Sequence, residues 1–400
     1  MKDVFIYDAI RTARTKAKPS GGLHNLTPQE LLRQLYRHLE TRTGLDANLV
    51  DEVILGCVTQ HGEQAANIAR TSVLYAGWPD TLPGLTVNRF CSSSVDAISI
   101  GALKIAAGQA GAIVAGGVEM MSRVPMLADD ARVFKDPQFA AQCRLLMMGS
   151  GADLIASRAS VTREEADTVA FNSQQRAAKA REEGYFAGSL VTISTPEGEA
   201  GEDECIRAGT TLDALAAMEP AFAKIGAAGV DAYQLKGSPG LEAIAHIHTA
   251  GNSPAMADAA CVLLLGDREA GAAMSAAPRA RIAASVTVAA DPLEVLTGCV
   301  VATRTLLERT GLTADDIDLF EIHEAFAATS VVAEREFGLD GERHNVNGGV
   351  IALGHPMGAT GAIMTLTLLD ELERRGLRRG IVAAAGAGGS GSALLIDRDF

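Results

Sequence analysis

The 400-residue chain carries six cysteines and eight histidines, and three of these side chains stand in surroundings suited to chemistry. Cys91 lies in Asn88-Arg-Phe-Cys-Ser-Ser-Ser94, after an apolar strand pattern and before Ser92–Gln109, whose only charges are Asp96 and Lys104. So small and apolar a segment predicts a buried helix. A thiol at its start feels the positive end of the helix dipole, which favours thiolate. The free backbone N–H groups of a helix start can also hold a developing oxyanion. A cysteine that merely packs in the core has the same local pattern. His355 lies in Asn347–Ala362, NGGVIALGHPMGATGA, where small residues and a proline surround one imidazole just before a helix. Glycine there permits close approach of a ligand to the backbone, and an imidazole is the base that a cysteine nucleophile needs. His323, in Glu321-Ile-His-Glu-Ala-Phe326, ends a strand and opens a helix, the position at which α/β sheets build sites. Taken alone, each histidine also reads as a structural residue. His24, His38, His61, His246, His248 and His344 sit in polar or loop-like stretches and read as surface or supporting residues.

Other chemistries find no support. Cys57, Cys143, Cys205, Cys261 and Cys299 are widely spaced, so neither a zinc site nor a redox pair is expected. Gly386-Ala-Gly-Gly-Ser-Gly391 fits a dinucleotide fingerprint, but the residues up to Phe400 leave no room for the helix and acidic residue that complete it. No GxSxG elbow and no GxxxxGK[ST] loop occur, which removes α/β-hydrolases and P-loop enzymes. A formal net charge of -14 argues against a nucleic-acid surface. No apolar run has the length of a membrane span, and no leader pattern opens the chain, so a cytoplasmic location is expected.

The elements that position these residues divide the chain into three stretches. Residues 1–125 alternate strands and helices: Val4–Ala9, Pro28–Arg42, Glu52–Val58, Ala65–Ala76, Leu85–Asn88, a helix after Cys91, and Ala112–Ala115. That alternation predicts parallel βαβ units. Residues 126–250 mix a well-capped helix, opened by Thr162-Arg-Glu-Glu165 and running to Arg181, with looser stretches such as Pro196–Glu204. They read as an inserted loop domain that covers the site and makes oligomer contacts. Residues 251–270 return to a buried strand, Ala259–Leu265, and belong with the first stretch. Residues 271–400 repeat the alternation: Ala280–Val288, Leu293–Arg309, Leu319–Ile322, Ala325–Phe337, Gly358–Arg375 and two closing strands. In both outer stretches a chemically suggestive loop leads into a helix, a strand and a Gly-Gly pair (Gly116-Gly117 and Gly388-Gly389). The pattern is that of one unit used twice.

With these motifs in place, the chain resembles the thiolase family over essentially its whole length. Asp8-Ala-Ile-Arg-Thr12, Gln60–Gln64 with Asn67–Arg70, NRFCSSS, Gly116-Gly-Val-Glu-Met-Met-Ser122, Thr249-Ala-Gly-Asn252, HEAF and GHPMGATGA follow one another in that family's order. The resemblance implies a thiolase fold, two similar αβαβα halves in five layers with an inserted loop domain, assembled as a homodimer or homotetramer. It implies an acyl-CoA C-acyltransferase that cleaves a 3-ketoacyl-CoA to acetyl-CoA and a shortened acyl-CoA. Coenzyme A would be a co-substrate, with no bound cofactor and no metal. Cys91 would take the acyl group. His355 would activate it, and His323, where many members have Asn, would join an oxyanion hole as in the degradative branch. The backbone N–H groups of Cys91 and Ala387 would form a second oxyanion hole. Ala250, Ser253 and Met147 would lie along coenzyme A.

The sequence departs from the family at one telling place. Ala385 stands where the second catalytic cysteine belongs, and Ala325 leaves the alternative position empty. A general acid or base of that kind contributes roughly 10²–10⁴ in rate. Met147 and Pro254 also replace residues usual beside the coenzyme. Three other readings follow: a thiolase-fold acyltransferase or Cys-His-His condensing enzyme that needs no such proton step, a biosynthetic acetoacetyl-CoA thiolase, and an inactive subunit. Acyl chain length is not written in the motifs.

Overall fold

The computed structural model describes residues 1–400. Its first half contains β1 (Phe5–Arg11), α1 (Pro28–Thr43), β2 (Glu52–Gly56), α2 (Ile68–Ala76), β3 (Gly84–Val87), α3 (Ser93–Ala106) and β4 (Ala112–Met120). Helices α4 (Met148–Arg158) and α5 (Arg163–Glu182) follow, then β5 (Ala257–Gly266). The second half contains β6 (Ala280–Ala289), α6 (Gly298–Thr310), β7 (Leu319–Ile322), α7 (Ala327–Phe337), α8 (Thr360–Arg375), β8 (Arg379–Ala385) and β9 (Ser390–Asp397). The helix starts follow capping chemistry. Thr27 accepts from Glu30 N–H with Pro28 at the first turn, and Thr162 and Glu165 close a reciprocal capping box.

The strands run β7-β8-β9-β6-β1-β5-β4-β2-β3, with the two-residue strand Thr15–Lys16 beside β5. The sheet is mixed: the expected parallel βαβ units are present and are joined by antiparallel strands. Strands β2, β3 and β4 are parallel, as are β7 and β8, while β5 and β9 lie antiparallel to their neighbours. The cause for β9 is chain length: only Gly386–Gly389 separate it from β8, and so short a link permits only an antiparallel return. The order and sense of β2-β4-β5-β1 are repeated in β7-β8-β9-β6. The two sets meet where β1 pairs with β6 through Phe5 and Ile6.

Three apolar clusters define five layers. The central one joins one face of both strand sets to α3 and α8, with Val95, Ile98, Ile363 and Leu366 among its members. Helices α1 and α2 cover the outer face of the first set, and α6 and α7 that of the second. The middle of the molecule is therefore two helices from different halves, side by side. Their N-termini bring Cys91 and His355, 264 positions apart in sequence, into contact.

Candidate active site

Cys91 occupies the turn into α3. Phe90, just before it, has φ 49, a left-handed backbone that costs a bulky residue energy. Asn88 secures the turn by accepting from Phe90 N–H at 2.8 Å, and Ser93 Oγ accepts from Arg89 N–H at 2.9 Å. Ser92 Oγ donates to Ala384 C=O at 2.7 Å, and Ser94 Oγ accepts from Ala362 N–H at 2.9 Å. The three serines after Cys91 thus hold their own turn and bind it to the opposite half.

His355 Nε2 lies 3.1 Å from Cys91 Sγ, and its Nδ1 lies 2.8 Å from Thr360 Oγ1. The consistent tautomer has Nδ1–H donating to Thr360, leaving Nε2 to accept the thiol proton. The glycines after His355 also permit close packing between the halves. A Cβ on Gly358 would stand 2.8 Å from both Cys57 Cα and Glu119 Oε2, and one on Gly361 2.4 Å from Val95. They let the two halves close on each other, and the site forms in their seam.

His323 directly follows β7, its ring centroid 4.7 Å from that of His355. It is 1% exposed, and neither ring nitrogen has a hydrogen-bond partner. Burial pushes its pKa down to about 4, against a weak pull from the Ala385 carbonyl. His355 is driven well below the usual histidine range by burial and then by His323. Burial, and after it Glu119, push the Cys91 thiol up to about 12. The resting site holds a neutral thiol and two neutral imidazoles. Burial and Glu119 thus act on the thiol against the thiolate-favouring start of α3.

The pair opens onto a cavity of about 270 Å³. Five methionines (Met126, Met147, Met148, Met256, Met357) line it with Phe222, Ile225, Ser253, Pro254, Ala325 and Phe326. Gly149 belongs to its wall because a Cβ there would lie 2.1 Å from the Phe222 ring, and that ring packs edge-on against Phe326 at 5.8 Å. Met147 and Ser253 reach the cavity, whereas Ala250 is exposed on the preceding loop and does not line it. The Ala385 methyl is fully buried and is not part of the cavity wall. Near Cys91, the loop hydrogen bonds use Ser92, Ser93, Gly386 and Gly389 N–H as donors, and neither Cys91 N–H nor Ala387 N–H is among them.

Several supporting residues, some of them inside the quoted motifs, had no role assigned from sequence. Glu119 is fully buried and accepts from Val58 N–H, Thr59 N–H, Gln64 Nε2 and Gly358 N–H at 2.8–3.1 Å. It fastens the loop after β2 to the loop of His355. His248 and His344, expected at the surface or in support, are 0% and 1% exposed. His248 Nδ1 donates to Asp153 at 2.7 Å, and its Nε2 accepts from Ala328 N–H at the start of α7. Asn252 bonds Thr249 N–H, Ile247 C=O and Asp167. Asn252 C=O accepts from Ala327 N–H at 3.3 Å, which ties the Thr249–Asn252 block to the residue after the HEAF turn.

Two matching α/β halves, with a cysteine and a histidine paired across their seam over an apolar cavity, define an acyltransferase of the doubled five-layer class. The chain matches the thiolase N-terminal domain over residues 4–232 and the thiolase C-terminal domain over residues 276–398. It is 38% identical over 409 residues to a steroid 3-ketoacyl-CoA thiolase of Mycobacterium tuberculosis, covering 100% of this chain and 95% of that one. It is 36% identical to a β-ketoadipyl-CoA thiolase of Pseudomonas aeruginosa, covering 99% of each. The crystal structure of the Bacillus anthracis acetyl-CoA acetyltransferase superposes with a TM-score of 0.84 at 36% identity over 99% of both chains. The chain belongs to the thiolase family.

Proposed function

We propose that the protein cleaves a 3-ketoacyl-CoA with coenzyme A, through an acyl thioester on Cys91. The observation that carries this reading is the 3.1 Å contact between Cys91 Sγ and His355 Nε2 at an apolar cavity. As the sulfur attacks C3, the thiol proton passes to Nε2. The adduct collapses, the C2–C3 bond breaks, and its electron pair stays on C2 as the enolate of acetyl-CoA. His323, neutral at pH 7 and part of the cavity wall, offers an N–H to the enolate oxygen. The Cys91 and Ala387 N–H groups serve the adduct oxygen.

Ala385 has no proton to give, so the balance closes through His355. Its imidazolium, strongly acidic because it is buried, returns the thiol proton to C2, and acetyl-CoA leaves. Coenzyme A then passes its own proton to His355 and attacks the thioester. Cys91 is expelled and reprotonated, and the chain departs two carbons shorter. Residues 126–250 act as the cover over the site, a reading supported by the lining residues Met126, Met147, Met148, Gly149, Phe222 and Ile225. Met147 and Ser253, with Ala250 at the entrance, would flank the coenzyme arm. The working form is read as a cytoplasmic homodimer or homotetramer, tested by light scattering. No helix is long and apolar enough to cross a membrane.

A second reading, decarboxylative condensation, is favoured by one observation: Cys91, His323 and His355 converge without a second cysteine at the cavity. One experiment separates the two. Incubation with a 3-ketoacyl-CoA should release acetyl-CoA and leave the shortened acyl group on Cys91 by intact mass, with loss of both in Cys91→Ser. Acylation without acetyl-CoA, together with CO₂ release from a malonyl-type thioester, would overturn thiolysis in favour of condensation.

A further inference from the structure

We propose that the groove beside the catalytic cavity holds the acyl part of the substrate, and that this part is extended or bulky, apolar, and uncharged at its far end. The proposal rests on the thiolase reading and names its substrate class. The groove has a volume of about 450 Å³ and shares Met147 and Ile225 with the cavity of Cys91 and His355. The two therefore adjoin, and an acyl chain whose C3 sits at Cys91 would reach the groove by passing along Ile225.

The chemistry of that wall selects the chain. Eleven of the fourteen lining residues are hydrophobic, among them Phe134, Leu145, Leu146 and Val230, and none is charged. Of the two side-chain hydroxyls, that of Tyr233 already donates to Ala141 C=O at 2.7 Å, and Ser150 is only 4% exposed. A terminal carboxylate placed here would lose its water and gain no cation, which is costly. An apolar chain would instead cover Ile225, which is 45% exposed. Apolar side chains left open beside a reactive centre mark a binding surface.

The test compares cleavage of acetoacetyl-CoA, 3-ketododecanoyl-CoA and 3-ketoadipyl-CoA by the whole protein and by Ala228→Trp. Ala228 is an exposed groove residue, so the indole should fill the groove without touching the Cys91–His355 pair. In the parent protein kcat/KM should rise roughly threefold to fourfold for each methylene accommodated. The adipyl substrate should fall about 10²-fold or more below an uncharged chain of equal length. Ala228→Trp should remove the long-chain preference, read as the ratio of kcat/KM for 3-ketododecanoyl-CoA to that for acetoacetyl-CoA. Equal kcat/KM for all three substrates would overturn the proposal. So would a raised KM for coenzyme A in Ala228→Trp, which would give the groove to the coenzyme, or a changed oligomeric state, which would give it to a second copy. Binding of non-cleavable dodecanoyl-CoA against acetyl-CoA by calorimetry tests the groove even if no substrate is cleaved. Tighter dodecanoyl binding abolished by Ala228→Trp would uphold the groove while the thiolase reading fell. Equal binding would reject the groove.

Discussion

At the scale of single residues, the site is governed by desolvation. Cys91 is held as a thiol, pushed up to about 12, and His355 stays neutral because burial drives it far below its usual range. With the thiol pushed up and the imidazole pushed down, the thiolate forms as the substrate arrives and His355 takes the proton. Alkylation of Cys91 by iodoacetamide should therefore climb about tenfold per pH unit between about pH 7 and pH 10, measured by intact mass against time. A plateau with a midpoint near or below neutrality would mean a standing thiolate–imidazolium pair. Position 385 gives a second prediction. If His355 returns the proton to C2, Ala385→Cys should change thiolysis by less than about tenfold, and a rise of roughly 10²–10⁴ would show that the vacancy limits the reaction. The parent residue is fully buried, so the variant's thermal transition must be recorded beside its rate.

At the scale of elements, regular periodicity was readable and cross-chain fastening was not. Helix α1 was expected at Pro28–Arg42 and runs Pro28–Thr43, and β7 was placed at its observed bounds, because caps and apolar periods are local signals. Helix α6 was expected from Leu293 but begins at Gly298, since Val295 sits at φ 61 in the turn before it, a conformation that apolar patterning does not reveal. Cys91 and His355 were legible because small, nearly uncharged surroundings are unusual for a polar group. Asp153 and His248, and the clamping role of Glu119 within its motif, were not, because a buried carboxylate or imidazole satisfied by distant partners looks in sequence like a surface residue. Glu119 gives this scale its prediction. Glu119→Gln replaces one acceptor oxygen with an NH₂ that faces N–H donors, leaving some of them unpaired at about 1–3 kcal/mol. The Gly358 loop should loosen and His355 move from Cys91, slowing acylation about 10²-fold, the cost of a displacement near 1 Å. Substrate KM should change little, and an acylation rate equal to the parent's would show that the clamp does not position His355.

At the scale of the whole molecule, the middle stretch must be tied to two halves that otherwise complete each other, and one buried ion pair does much of this. Arg11, at the end of β1, forks onto Asp203 with both contacts at 2.8 Å, and the two side chains are 0% and 2% exposed. Asp203 also accepts from Arg14 N–H at 2.8 Å, while Arg11 N–H donates to Ser189 C=O and Val191 N–H to Arg11 C=O. Residues 189–203 are thus stitched to the strand that joins the two halves. Two charges withdrawn from water gain little net stability as a pair, but removing one partner strands the other. Asp203→Asn should therefore lower stability by about 3–5 kcal/mol at pH 7, read as a drop in the urea midpoint with an unchanged slope. The pH dependence fixes the cause. Arg11 and Arg14 hold the Asp203 carboxyl below its usual range against the opposing effect of burial. Its contribution is therefore complete above the unfolded value, about 3.9, and is lost as pH falls from there through the folded value. The gap in midpoint between parent and variant should stay constant from pH 7 to about pH 5 and narrow only below about pH 4. A gap that narrowed near pH 6 would assign the coupling to a histidine, and no gap at pH 7 would mean that the middle stretch is held by its apolar contacts alone.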